Sequence, residues 1–199
     1  MSKEKNILGL QLPTDPRWAD LAQISIEAIL TDHAYCEQKA ASNCISIITQ
    51  FPNFPNIVEK LSPLVTEEWG HFRMVVRELK RRKLSLGLQR KDAYVNEIRK
   101  IIKSGIGRKE LLVEKLLFSA LIEARSCERF KLLSEKIADK DLKRFYHDLM
   151  VAEAAHYRLF IDLANAVMDE AIVHQRWKEF LAAEAEIMKT LEIRGDRIH

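Results

Sequence analysis

Helix breakers are scarce in this 199-residue chain, with six glycines and five prolines, and their placement says more than their number. All five prolines lie at or before Pro63, and neither residue type occurs between Arg108 and Arg194. That second half is therefore expected to be helical throughout, broken only by short turns. Cysteine is scarce too: Cys36, Cys44 and Cys127 are odd in number and lack metal-site spacing, which argues against a disulfide framework and for a reducing compartment. No apolar run approaches membrane-spanning length. The stretch from Ile7 to Leu12, after the charged opening Met1–Asn6, is too short for the core of a signal peptide. The expectation is a cytoplasmic protein that does not enter a membrane.

What is present is enough for a core, since 47% of residues are apolar, and one domain over 1–199 is the simplest organisation. The net charge of +3 hides a strong asymmetry: from Arg73 to Lys109 there are thirteen Lys and Arg against three acids, a net of +10, so the rest carries −7. A concentrated basic stretch on an otherwise acidic chain points to a polyanionic partner, or else to a solvated helix face and loop.

Thr14-Asp15-Pro16 reads as a helix start, with helix A running from about Pro16 to Thr49. The turn Phe51-Pro52-Asn53-Phe54-Pro55 leads into helix B, about Asn56 to Lys83, in which Pro63 predicts a kink or a late start. Gly87, Gly105 and Gly107 bracket a long connection with a shorter helical piece near Asp92 to Lys103. Helix C is expected from Lys109 to Ile137. Asp139 or Asp141 caps helix D, to about Met168, and a fifth helix spans roughly Ala171 to Ile193. Strand-like alternation is nowhere sustained. Two helical hairpins joined by a long crossover make an all-α, ferritin-like four-helix bundle with an additional C-terminal helix.

Residues three and four apart share a helix face, so each glutamate can be placed by its neighbours above and below. Glu37 falls among Ile26, Leu30, His33, Ala41 and Cys44, and Glu68 among Leu61, Leu64, His71 and Val75. Glu123 falls among Leu116, Ala120, Cys127 and Phe130, and Glu153 among Leu142, Leu149, His156 and Phe160. Glutamate is almost never fully buried without a partner, so four inward carboxylates need a common cause, and a shared cation supplies it. Glu68-Trp69-Gly70-His71 and Glu153-Ala154-Ala155-His156 each set a carboxylate and an imidazole one turn apart. Glu37 precedes the first pair by 31 residues and Glu123 the second by 30, about one helix down and back. This donor pattern is that of known two-metal bundles. Oxygen and imidazole donors without thiolate suit iron or manganese, with zinc less suited. His33, and Asp32 or Asp148, are candidates to orient a ligand, each competing with an ordinary packed or polar role. Trp18, Trp69 and Trp177 are most simply packing residues, and Tyr157 a core residue.

Four blocks carry a family resemblance: Asp32-His33-Ala34-Tyr35-Cys36-Glu37-Gln38-Lys39-Ala40-Ala41-Ser42, Glu67-Glu68-Trp69-Gly70-His71-Phe72, the run from Leu121 to Phe130, and Glu153-Ala154-Ala155-His156-Tyr157. Together with the opening Leu12-Pro13-Thr14-Asp15-Pro16-Arg17-Trp18, they resemble the MiaE family of bacterial tRNA hydroxylases over nearly the whole chain, and all six ligand positions match. The resemblance implies a dioxygen-dependent diiron monooxygenase that hydroxylates the isopentenyl group of 2-methylthio-N-isopentenyladenosine next to the anticodon. Two iron ions would be held by Glu37, Glu68, His71, Glu123, Glu153 and His156, with dioxygen as co-substrate. The chain has no Cys-x-x-Cys pair and no Gly-rich dinucleotide fingerprint, so electrons would come from a separate reductase or ferredoxin.

The basic stretch then acquires a use, because phosphate contacts dominate affinity for a tRNA. Arg73, Arg77, Lys80, Arg81, Arg82 and Lys83, with Arg90, Lys91, Arg99, Lys100 and Lys103, are expected to hold the anticodon arm while an unpaired base reaches the metal. The tail Arg194–His199 is expected to fray. The same six ligands would serve an iron-oxidising or iron-storage protein of the ferritin class, or a diiron hydroxylase of another substrate such as a quinone. A metal-free helical interaction module would have to explain four inward glutamates. The oligomeric state is left open, a monomer included.

Overall fold

The computed structural model describes residues 7–199, and the charged opening Met1–Asn6 lies outside the described residues. A 3-10 turn at Ile7–Gly9 precedes seven helices: α1 (Arg17–Ala22), α2 (Ile26–Gln50), α3 (Pro55–Arg81), α4 (Ala93–Arg99), α5 (Arg108–Lys136), α6 (Lys140–Val167) and α7 (Glu170–Thr190). No strand occurs among the described residues.

The helix expected from Pro16 to Thr49 is two helices. Asp15 takes the Arg17 N–H on its carboxylate at 2.9 Å and opens α1. The chain then breaks, and Ser25 restarts it by accepting the Ala28 N–H at 3.2 Å. A serine side chain that satisfies an orphan donor at a helix start is worth about 1 kcal/mol, enough to set a boundary that hydrophobic spacing does not reveal. Pro63 gives no late start: α3 begins at Pro55, where a missing N–H costs nothing, and runs through Pro63. Asp92, Asp139 and Asp169 cap α4, α6 and α7. The crossover helix is shorter than its expected Asp92–Lys103 span.

The chain forms two compact units. One comprises Asp20–Lys91 with Arg194–Ile198. Its core is the α2–α3 hairpin, in which α3 buries a single stripe of Ile57, Leu61, Leu64, Glu68, His71, Val75 and Leu79. The segment after α3 is laid along α2: Tyr35 donates to the Gly87 carbonyl at 2.9 Å, Gly87 N–H to Thr31 at 3.2 Å, and Arg90 to the Ala28 carbonyl at 2.8 Å.

The other unit comprises the chain up to Ala19, Asp92–Ile193 and His199. Here α5 pairs with α6, and α7 packs on α4, α5 and α6. The α6 stripe of Leu142, Tyr146, Leu149, Glu153, His156, Phe160 and Leu163 repeats the spacing of the α3 stripe. By contrast α5 is buried nearly all round from Leu112 to Phe130.

The tail does not fray. Arg90 binds Asp196 at 2.8 Å, Arg197 donates to the Lys91 carbonyl at 3.2 Å, and the N–H of fully buried Ile198 donates to Asp32 at 2.7 Å. A Cβ on Gly195 would lie 2.3 Å from the backbone of Leu21, so only glycine permits this approach. His199 stacks on Tyr94 at 5.5 Å and reaches Ser126 at 2.8 Å.

Candidate metal centre

In the α2–α3 unit the hydrophobic stripes that pair the helices also carry the polar donors inward. Glu37, Glu68 and His71 are buried, and each offers one ligand atom within 4.8 Å of the others. His71 Nδ1 lies 3.6 Å from Glu37 and 3.7 Å from Glu68. One turn before Glu37, the fully buried His33 holds its carboxylate at 2.6 Å. At that distance the imidazole can set the direction of the Glu37 carboxylate.

The α5–α6 unit gathers an equivalent set. Glu123, Glu153 and His156 are buried and likewise offer ligand atoms within 4.8 Å of one another, with His156 Nδ1 3.5 Å from Glu153. Each unit thus assembles two carboxylates and one imidazole on apolar helix faces. Such oxygen and nitrogen donors, with anionic charge and no thiolate, fit a hard or borderline divalent ion of the iron or manganese kind. Two of the three cysteines line these stripes without acting as thiolates. Burial, reinforced by Glu68, pushes the Cys44 thiol up to about 12, and burial with Glu153 does the same to Cys127.

Other orienting candidates land elsewhere. Asp148 keeps 65% of its side chain exposed, beside His147, because it precedes Glu153 by five residues and so sits well round the helix from the ligand stripe. It is not a partner for His156. Asp32 is buried but serves the tail through Ile198. Trp18 and Trp177 are packed, whereas Trp69 is 47% exposed and is not a core residue.

Residue type and periodicity did not single out three further buried glutamates. Glu114 is met by Arg176 at 2.6 Å, Glu184 by Arg125 at 2.5 Å, and Glu128 by Arg125 and by Thr14 at 2.7 Å. Tyr94 adds its hydroxyl to Glu184 at 3.2 Å. Burial opposes the charge on Arg125, yet Tyr94, Glu128 and Glu184 together hold its pKa above the ordinary arginine value. Guanidinium partners mark these carboxylates as structural, while imidazole neighbours mark Glu37, Glu68 and Glu153. The one local signal was the Arg125-Ser126-Cys127-Glu128 spacing, which puts opposite charges on one turn.

The basic residues divide. In the α2–α3 unit, Arg73, Arg77, Lys80 and Lys83 are exposed and make no ion pair among the described residues, and Lys91 is exposed as well. Arg81 and Arg82 are bound to Glu78 at 2.7 and 2.6 Å, and Arg90 to Asp196. In the other unit, Arg99 is exposed, Lys100 pairs with Glu97 at 2.6 Å and Lys103 with Glu179 at 3.3 Å.

A family model described as tRNA-(MS[2]IO[6]A)-hydroxylase (MiaE) matches residues 2–199. The chain belongs to the MiaE family. Curated relatives named tRNA 2-(methylsulfanyl)-N(6)-isopentenyladenosine(37) hydroxylase share this membership. The one from Pseudomonas putida is 36% identical over 91% of this chain and 87% of its own length. The one from Salmonella typhimurium is 25% identical over 90% and 83%. A solved structure of a Synechococcus protein with aldehyde deformylating oxygenase activity superposes with a TM-score of 0.90, at 31% identity, over 97% of this chain and 96% of its own. The fold of this MiaE family member is thus all-helical and ferritin-like, with two hairpins, a long crossover and an additional C-terminal helix. No helix among the described residues is long and apolar enough to cross a membrane.

Proposed function

We propose that this MiaE family protein is a cytoplasmic, dioxygen-dependent diiron monooxygenase that hydroxylates the isopentenyl group of 2-methylthio-N-isopentenyladenosine beside the anticodon of tRNA. The observation that carries the proposal is the repeated donor set. Each hairpin supplies one glutamate and one Glu-x-x-His from its buried stripe, and the family supplies the reaction. Glu37, Glu68, His71, Glu123, Glu153 and His156 are the ligands of two iron ions. Four carboxylates balance the charge of two divalent ions.

Bound iron would supply dioxygen activation. One oxygen atom enters a C–H bond of the substrate and the other leaves as water, a balance that takes up two electrons and two protons. The electrons come from a separate reductase or ferredoxin. The chain's own residues do the holding and sheltering. His33 keeps the Glu37 carboxylate aimed, and the apolar stripes around both Glu-x-x-His pairs exclude water from the reacting group. Arg73, Arg77, Lys80 and Lys83, with Lys91 and Arg99, meet the phosphates of the anticodon arm. Arg81, Arg82, Arg90, Lys100 and Lys103 add to the positive field from within their ion pairs.

The test joins metal to product: quantify iron per purified chain, then supply a reductant, dioxygen and tRNA bearing the isopentenyl base, and analyse the nucleosides. About two irons with a gain of one oxygen on that base establishes the enzyme. Iron without product, on tRNA or on an aldehyde, returns the chain to the iron-storage reading. Product from the aldehyde alone transfers the activity of the Synechococcus relative to this chain.

A further inference from the structure

The middle of α3 carries two features that neither the fold nor the metal ligands explain. Trp18 and Trp177 are 1% and 7% exposed, but Trp69, between ligands Glu68 and His71, is 47% exposed. Phe72 backs its ring at 4.7 Å with 20° between planes. Beside it stands Gly70, in the interior of a 27-residue helix, where glycine is the poorest choice after proline. A Cβ at Gly70 would meet nothing within 4 Å, so no packing inside the protein calls for its absence. What glycine does provide is bare backbone that an outside group can approach closely.

The surroundings define that group. Arg73, Arg77 and Lys80 follow Trp69 at four, eight and eleven residues, and all three are exposed with no ion pair among the described residues. Steps of three and four keep them close to one line along the helix. A half-exposed aromatic ring continuous with a row of unpaired cations is how proteins hold single-stranded nucleic acid, bases on the rings and phosphates on the charges. A membrane-binding face would instead need a broad apolar side. Here the exposed aromatic is a single backed ring beside a cleared backbone.

We propose that Trp69, Gly70 and Arg73 form a seat for one unpaired nucleobase of the RNA loop. The base extends the Phe72–Trp69 stack, its edge lies over the bare backbone at Gly70, and its phosphate meets Arg73. The proposal rests on the tRNA reading above and deepens it: it gives the α3 surface a preference for looped over paired RNA, which charge alone does not confer. A duplex offers the same phosphates with its base faces hidden.

Because the other two tryptophans are buried, quenchable emission from the iron-loaded full chain reports on Trp69. The probes are an RNA hairpin of anticodon-arm sequence and the same strand annealed to its complement. The hairpin quenches the emission and the duplex does not. Trp69→Ala weakens hairpin binding about ten-fold, whereas Trp69→Phe keeps it within about three-fold. Gly70→Leu, which fills the seat and leaves the ring, weakens it as Trp69→Ala does. Duplex affinity changes by less than about two-fold in all three, with the salt slope unaltered because no phosphate contact is lost. Hairpin binding without quenching, and unaffected by Trp69→Ala, overturns the seat while the tRNA surface stands. Failure of the wild type to bind either RNA overturns the surface and the seat together. Emission that shifts with protein concentration and not with RNA assigns Trp69 to contact between copies, and also overturns the seat. Should Trp69→Ala lose iron, quenching of the wild type decides.

Discussion

The two hairpins present the same set of buried donors on very different scaffolds. Both place a glutamate and a Glu-x-x-His on buried stripes, and both keep a cysteine beside the motif with its thiol raised to about 12. In the α2–α3 hairpin the other side of α3 is solvated, carrying Arg73, Arg77, Lys80 and Trp69. In the α5–α6 hairpin α5 has almost no free side, because Arg125, Glu128 and Glu184 form an internal charge network on the face away from Glu123. An internal repeat in sequence therefore fixes only the ligands. What lies behind them is free to diverge, towards a solvated basic face in one case and internal packing in the other.

The first prediction breaks the symmetry of duty. Glu68→Ala and Glu153→Ala should be equally damaging, each lowering hydroxylation by more than the ~100-fold typical of losing a residue that merely supports a ligand, with iron content falling in parallel. One variant that retains full iron and turnover would show that only one hairpin binds the working metal. Next is the difference in scaffold. Arg125→Met strands Glu128 and Glu184 in the interior and should cost about 3–5 kcal/mol in denaturant unfolding. Arg81→Ala, which breaks a half-exposed pair with Glu78, should cost under ~1 kcal/mol. Equal losses would mean that the internal network is no more than a surface pair moved indoors.

His33→Ala should weaken iron binding by about 10–100-fold, measured by chelator competition, because the aim of Glu37 is lost, and it should also lower unfolding stability because a fully buried ring is removed. On the outer face, Arg73→Glu with Arg77→Glu should weaken tRNA binding and flatten its salt dependence by roughly one unit of slope per lost contact. Arg81→Glu with Arg82→Glu should do less, because those two are engaged by Glu78. A larger effect from the second pair would reassign the RNA surface to the end of α3. The smallest contrast concerns thiols. Burial holds the Cys44 and Cys127 thiols protonated near pH 8, so native alkylation should be slow at both and mass spectrometry should find modification confined to Cys36.

Both hairpins, the crossover and the final helix were legible because scarce Gly and Pro and 3.6-residue spacing report on helices directly. The burial of Glu37, Glu68, Glu123 and Glu153 was legible for a related reason: a carboxylate inside an apolar stripe violates the pattern around it. The break at Gln23–Ser25 was not, since one serine hydroxyl decides it. The fate of the tail was not either, because Ile198 and Asp32 lie 166 residues apart and no local periodicity links them. Glu114 and Glu128 escaped notice because α5 is buried on more than one face, where stripe reasoning loses its contrast, whereas Glu184 lies in the single buried stripe of α7 with Trp177, Phe180 and Leu181. Exposure of Trp69 was likewise illegible, since an indole one step from a ligand looks like core until its surroundings are known.

The docked tail carries a consequence for the order of events during synthesis. The unit built on α2 and α3 is finished only by Arg194–Ile198, which Asp32, Arg90 and the backbone of Leu21 receive. Its first seventy or so residues leave the ribosome long before those five, so for several seconds of translation at ~5–20 residues per second the hairpin lacks its last strap. The carboxylates of α2 and α3 proposed as iron ligands thus spend that interval on an open scaffold, and loading with iron before the chain is complete would meet a half-built site.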